Sequence, residues 1–133
     1  MTATTIERWH QIVREHDPQK LHALLAEDVV FLSPVVHTPQ VGRAITYQYL
    51  LAATQVLNND SFVYLNQWSG ERSAVLEFES TVEGIVINGV DMIEWNAAGQ
   101  ISRFKVMVRP LKAVNKLHEL MGRMLQSMTG GPR

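Results

Sequence analysis

The hydrophobic period of this chain changes near Ser61, and the change divides it into two kinds of structure. Upstream, apolar residues recur three or four positions apart, as in Ile6, Trp9 and Val13 or Leu21, Leu24 and Leu25. That is the spacing of one helix face. Downstream they alternate, which is the spacing of a strand with one buried face. Thr4-x-x-Glu7 is a capping-box pattern that starts the first helix. Asp17 can cap a short second helix, with Pro18 at its first position. Val29 to Leu32 reads as a strand stopped by Pro34. A loop with Pro39 and Gly42 then leads into a helix over 43–57, ended by Asn58-Asn59-Asp60 and carrying Tyr47, Leu50, Leu51 and Thr54 on one side. Helices first, then a meander of strands, then a closing helix give an α+β fold class.

Four strands are predicted after the switch, over 61–68, 72–82, 85–95 and 101–109. Asn88-Gly89 is by itself the stronger hairpin dipeptide, but a turn at Glu83-Gly84 makes the flanking strands nearly equal in length. About that turn Leu76 opposes Asp91, and Phe78 opposes Gly89, which an aromatic ring can cover. About Ala98-Gly99, Glu94 opposes Arg103, Ile93 opposes Phe104 and Asp91 opposes Val106. One face then carries Leu76, Phe78, Asp91, Ile93 and Phe104, continued by Val106 and Val108. The other carries Glu77, Glu79 and Glu94 against Arg103, Lys105 and Arg109, a pattern of cross-strand salt bridges rather than an acidic catalytic cluster. Pro110 ends the last strand, and a helix over 111–126 follows. The expected organisation is one domain over 1–128 with a flexible tail at 129–133.

Composition removes several classes of function. With 12 basic against 13 acidic side chains there is no electrostatic footprint for nucleic acid or for a membrane surface. No apolar run approaches the roughly 20 residues that span a bilayer, and the first ten residues lack the apolar core of a signal peptide, so a cytoplasmic location is expected. The absence of cysteine excludes a disulfide framework and thiolate chemistry. His10 and His16, or His22 and His118, offer no recognised ligand spacing, so neither metal nor cofactor is expected.

Three segments carry a family resemblance. Leu24-Leu25-Ala26-Glu27-Asp28-Val29-Val30-Phe31 leads from the second helix into the first strand; Ser33-Pro34-Val35-Val36, with Pro39 and Gly42, forms a rim loop; Gly89-Val90-Asp91-Met92-Ile93-Glu94-Trp95-Asn96, with Gly99-Gln100-Ile101, forms a hairpin. With the element order, these resemble the nuclear transport factor 2-like superfamily, and within it the SnoaL-like domains that include polyketide cyclases. The resemblance implies a curved, mostly antiparallel, cystatin-like sheet wrapped as a cone around N-terminal helices, with a central pocket. Ketosteroid isomerase, a relative, pairs an Asp base with a Tyr and a protonated Asp that stabilise the oxyanion. Laid on this sequence without a gap, its Tyr position falls on Trp9, its base on Ser33 and its protonated Asp on Asp91. Only Asp91 keeps its residue type, so isomerisation by that route is not expected. Trp9 keeps one indole N–H to donate, and Ser33 is too weak a base to replace a carboxylate.

Asp91 is the most informative residue, because a carboxylate among apolar neighbours on an inward strand face is costly unless paired or protonated. His37, in the loop after the first strand, has an ordinary pKa suited to general base work and is the candidate acid/base partner of Asp91. The resemblance makes Trp9 and Tyr49 pocket residues, with Phe31, Val35, Leu50 and Phe78. Ser33 joins them from the rim, and Ile93, Phe104, Val106 and Val108 from the sheet. The expected ligand is a small apolar molecule. The functions that fit are a cyclase or isomerase working by proton transfer on a carbonyl compound, a non-catalytic binding protein, or an interaction module with a vestigial pocket. Phe62, Tyr64, Trp68, Val90, Met92 and Met107 are expected on the convex sheet face, where they would make the interface of a homodimer.

Overall fold

A computed structural model of the chain describes residues 4–128, so the tail at 129–133 lies outside the described residues. Helix α1, Thr5–Glu15, starts at the expected capping box: the Glu7 amide donates to Thr4 Oγ1 at 3.1 Å and the Thr4 amide to Glu7 Oε1 at 2.7 Å. Helix α2, Pro18–Leu24, is capped by Asp17, whose Oδ1 accepts from the Gln19 and Lys20 amides. It runs straight into strand β1, Leu25–Leu32, which begins earlier than the sequence suggests. The two-residue strand β2, Gln40–Val41, is too short to show a period and was expected as loop. Helix α3, Arg43–Leu57, has the expected bounds.

Strands β3, Val63–Ser69, β4, Ser73–Val82, β5, Ile85–Trp95, and β6, Ile101–Arg109, complete a six-stranded curved, open sheet in the order β2-β1-β6-β5-β4-β3. Every neighbouring pair is antiparallel except β1 with β6, which is parallel. The β4–β5 turn is at Glu83-Gly84, where both residues have positive φ (50° and 78°), the geometry a two-residue hairpin needs. Asp91 faces Leu76 on one side and Val106 on the other, as expected. Gly89 lies under Phe78: a Cβ there would sit 2.6 Å from the Phe78 ring and 2.7 Å from the Met107 carbonyl oxygen. Only glycine lets the ring close onto the sheet at this point.

The concave face and the helices enclose the core. Leu76, Phe78, Ile93 and Phe104 of the sheet are at most 1% exposed. Ile6, Trp9 and Ile12 of α1 and Leu117 and Met121 of the last helix, α4 (Leu111–Met128), are buried with them. On the convex face Arg103 pairs with Glu94 at 3.7 Å. Glu77 and Glu79 make no ion pair among the described residues, which corrects the expected row of salt bridges. Glu77 instead accepts from the amides of Asn66 (2.8 Å) and Asn88 (3.0 Å), and these bonds hold its carboxyl below the usual range. Among the described residues no helix is long and apolar enough to cross a membrane.

Strand β3 departs from expectation. Tyr64 pairs with Phe78 and Trp68 with Val75, with a bulge between Tyr64 and Asn66. Side chains alternate strictly only in a regular strand, so the surplus residue puts Tyr64 inside and Trp68 outside. Phe62 also turns inward and stacks on Phe78 at 5.7 Å. The expectation that Phe62 and Tyr64 lie on the convex face is therefore wrong, while Trp68 and Met107 are exposed there.

Candidate functional site

Between the concave sheet face and helices α1, α3 and α4 lies an apolar cavity with about 60 Å³ of free space. Each wall follows from a periodicity. Helix spacing brings Trp9 and Val13 from α1, Leu50, Ala53 and Leu57 from α3, and Leu117 and Met121 from α4. Strand alternation brings Phe78, Asp91, Phe104 and Val106, with Phe31 from β1. Ser33, Pro34 and Val35 close it from the loop after β1. Of the residues named from the sequence, Trp9, Phe31, Ser33, Val35, Leu50, Phe78, Phe104 and Val106 line this cavity. Ile93 is buried in the core, Val108 is half-buried, and Tyr49 packs behind Phe31 with ring centroids 5.6 Å apart; none of the three lines the cavity.

Asp91 is 7% exposed and holds one end of a short hydrogen-bonded chain. The Tyr64 hydroxyl donates to its Oδ2 at 2.9 Å, and the Trp9 indole N–H donates to the Tyr64 oxygen at 2.9 Å. Burial raises the Asp91 pKa from 3.8 to about 7, while the Tyr64 hydrogen bond works against that rise. At neutral pH both protonation states are therefore populated. Burial first, and then the charge of Asp91, push the Tyr64 hydroxyl well above its ordinary value, so it stays a neutral donor. Asp91 lines the cavity, and its Oδ1 makes no hydrogen bond among the described residues, whereas Oδ2 is held by Tyr64.

The other polar groups on the wall are engaged with the protein. Ser33 Oγ accepts from the Val35 amide at 3.1 Å, Thr54 Oγ1 donates to the Leu51 carbonyl, and Asn58 Nδ2 donates to the Val13 carbonyl. None of them is a base of useful strength. His37 is exposed and is not among the lining residues, so the structure does not bring it to Asp91. The Trp9 N–H, offered from the sequence as a ligand donor, is spent on Tyr64. Among the described residues no three His, Asp or Glu side chains cluster as metal ligands would.

Tyr64 is the partner of Asp91 that sequence reasoning missed, because a regular strand would put it on the same face as Trp68; Val13, Ala53, Leu57, Phe62, Leu117 and Met121 also line the cavity without having been named for it. A signal was present. Phe62 and Tyr64 supply aromatics at alternate positions, and Asn66 and Gln67 then break the pattern in mid-strand, as a bulge does.

The comparisons with known proteins agree with this geometry. A steroid delta-isomerase from Pseudomonas aeruginosa superposes with a TM-score of 0.89 at 36% identity, over 96% of this chain and 93% of its own. An uncharacterised bacterial protein with a cystatin-like fold, from Silicibacter pomeroyi, gives 0.84 at 34% identity, over 95% and 86%. An NTF2-like protein of unknown function from Mesorhizobium loti gives 0.68 at 20%, over 80% and 88%, a likeness of fold alone. A search of curated proteins found no match. The family model of the SnoaL-like domain matches residues 6–104, and with the curved α+β architecture around the cavity it follows that this chain belongs to the SnoaL-like family, within the NTF2-like, cystatin-like fold.

Proposed function

We propose that the chain binds a small, largely apolar carbonyl compound in this cavity and activates it for isomerisation or cyclisation through a hydrogen bond from protonated Asp91. The observation that carries the reading is a buried carboxyl group on the wall of an apolar cavity, with one oxygen held by Tyr64 and its pKa pushed up by burial. Protonated Asp91 donates a hydrogen bond to the carbonyl oxygen as that oxygen gains charge, and the proton that leaves the neighbouring carbon passes to a water molecule admitted with the ligand, since no other wall side chain is a base of useful strength. The steroid delta-isomerase relative supports proton-transfer chemistry for this fold. The free space of about 60 Å³ is well below the roughly 300 Å³ of a drug-sized site, so the ligand is small.

A second reading, a carrier without chemistry, is favoured by one observation: the Oγ of Ser33, on which the resemblance to ketosteroid isomerase lays the base, is tied to the Val35 amide. The two separate in one experiment. Cyclohexenone is offered to the protein in D2O, with saturation-transfer NMR for binding and loss of its exchangeable C–H signals for proton transfer. Binding with accelerated exchange, both weakened by Asp91→Leu, supports the first reading. Binding without exchange supports the second, and no binding of cyclohexenone or of smaller ketones removes both. We also propose that the chain forms a homodimer through the convex face, where Leu65, Trp68 and Met107 are each at least 46% exposed. Its location is proposed to be cytoplasmic.

A further inference from the structure

The chain of hydrogen bonds at Asp91 has a fixed direction. An indole N–H can only donate, so the Tyr64 oxygen, 2.9 Å away, must accept. Its own proton then points elsewhere, and the only acceptor in reach among the described residues is Asp91 Oδ2, also at 2.9 Å. If Oδ2 carried a proton and donated it to Tyr64, the phenolic proton would be left buried without an acceptor, which is a costly state.

We propose that Trp9 is a positioning residue: by fixing the direction of the Tyr64 hydroxyl, it confines any proton on Asp91 to Oδ1, the oxygen that Tyr64 does not hold. The use of that proton on a ligand rests on the function proposed above, but the orientation itself does not. In ketosteroid isomerase a tyrosine stands at the place of Trp9 and can address a ligand directly. Here the donor acts only through Tyr64. The ligand-facing hydrogen bond is then concentrated in one atom, which donates when Asp91 is protonated and accepts when it is not.

The surroundings contain little else that titrates. Leu76 and Val106 flank Asp91 on the neighbouring strands, and Leu50 and Met121 reach the cavity from the helices, all uncharged. On α1 the His10 ring meets the Tyr64 ring edge-on at 5.1 Å, and its Nε2 lies 2.9 Å from Gln67 Oε1. Its titration is followed separately through its own ring resonances.

The test is the Asp91 carboxyl titration, read by carbon-13 NMR without any ligand, in the unmodified chain, Trp9→Phe, Tyr64→Phe and the double variant. A donor to Tyr64 strengthens the bond that Tyr64 gives to the carboxylate. Its loss should therefore move the Asp91 midpoint upward by about 0.1–0.6 pH units. In the Tyr64→Phe background the same substitution should move it by less than about 0.1 units, because Trp9 acts only through Tyr64. An unmoved midpoint in Trp9→Phe, or an equal shift in both backgrounds, overturns the proposal. A second measurement needs no substitution. The Trp9 indole N–H resonance should follow the Asp91 midpoint while that of exposed Trp68 does not, and a Trp9 resonance blind to that titration also overturns it. Failure of ketone binding leaves these results untouched, so the two ideas fail separately.

Discussion

Asp91→Asn removes a buried charge while keeping an oxygen that can accept the Tyr64 proton, and its effect should depend on pH in a defined way. Burial raises the carboxyl from 3.8 to about 7 in the folded chain. A carboxyl raised by folding costs stability once the unfolded chain ionises and the folded one must follow, and the cost vanishes at low pH where both are protonated. At about 1.36 kcal/mol per pH unit, the rise from 3.8 to about 7 amounts to about 4 kcal/mol, accumulating between those pH values and complete above the upper one. Water reaching Oδ1 through the cavity lowers this, so about 2–4 kcal/mol is the working range. The carboxamide introduced by the substitution leaves N–H groups facing the cavity without acceptors, an offset of about 1–3 kcal/mol that does not change with pH. The wild-type chain should therefore lose stability relative to Asp91→Asn as pH rises from about 4 to about 8, by about 2–4 kcal/mol. Urea unfolding at several pH values and one fixed protein concentration measures it. Stability curves that stay parallel across this range would falsify the account of Asp91 as a desolvated acid.

Gly89→Ala puts a Cβ against the Phe78 ring and the Met107 carbonyl oxygen, so a loss of about 1–3 kcal/mol is expected in urea unfolding. Thr4→Ala removes the acceptor for the Glu7 amide and should cost about 1 kcal/mol, read as a lower thermal midpoint with the fold unchanged by circular dichroism. Trp68→Lys places a charge on the convex face without touching the cavity. It should convert the proposed dimer to a monomer in light scattering at tens of micromolar, whereas a wild-type chain already monomeric there removes the dimer.

The parts of the fold legible in the sequence are those whose signals are local. Glu83-Gly84 and Gly99 fix two hairpins, and alternation then assigns to a face the residues of β4, of β5 as far as Glu94 and of β6 from Arg103 on, including Asp91; a second bulge beyond Glu94 turns Ile101 into the core. The parallel pairing of β1 with β6 joins segments far apart in the chain and leaves no local trace. Part of the cavity wall was legible because Leu50, Phe104 and Val106 are core residues by period. His37 was named for its chemistry, in a loop whose path no period constrains, and it is exposed. Tyr64 was lost to a single bulge, and with it the partner that makes Asp91 intelligible.

That bulge separates the shape of the site from its chemistry. Tyr64 already opposes Phe78 and Asn66 already opposes Glu77, so Leu65 is surplus to the pairing on either side. Deleting Leu65 would leave Tyr64 inside, Trp68 outside and every lining residue in place, while removing the extra bend that a bulge imparts to an edge strand. Curvature of the sheet margin can then drift by insertion or deletion at one outward position without a change of any side chain on the cavity wall. A chain built this way can change the curvature over its cavity and keep Asp91 where it is.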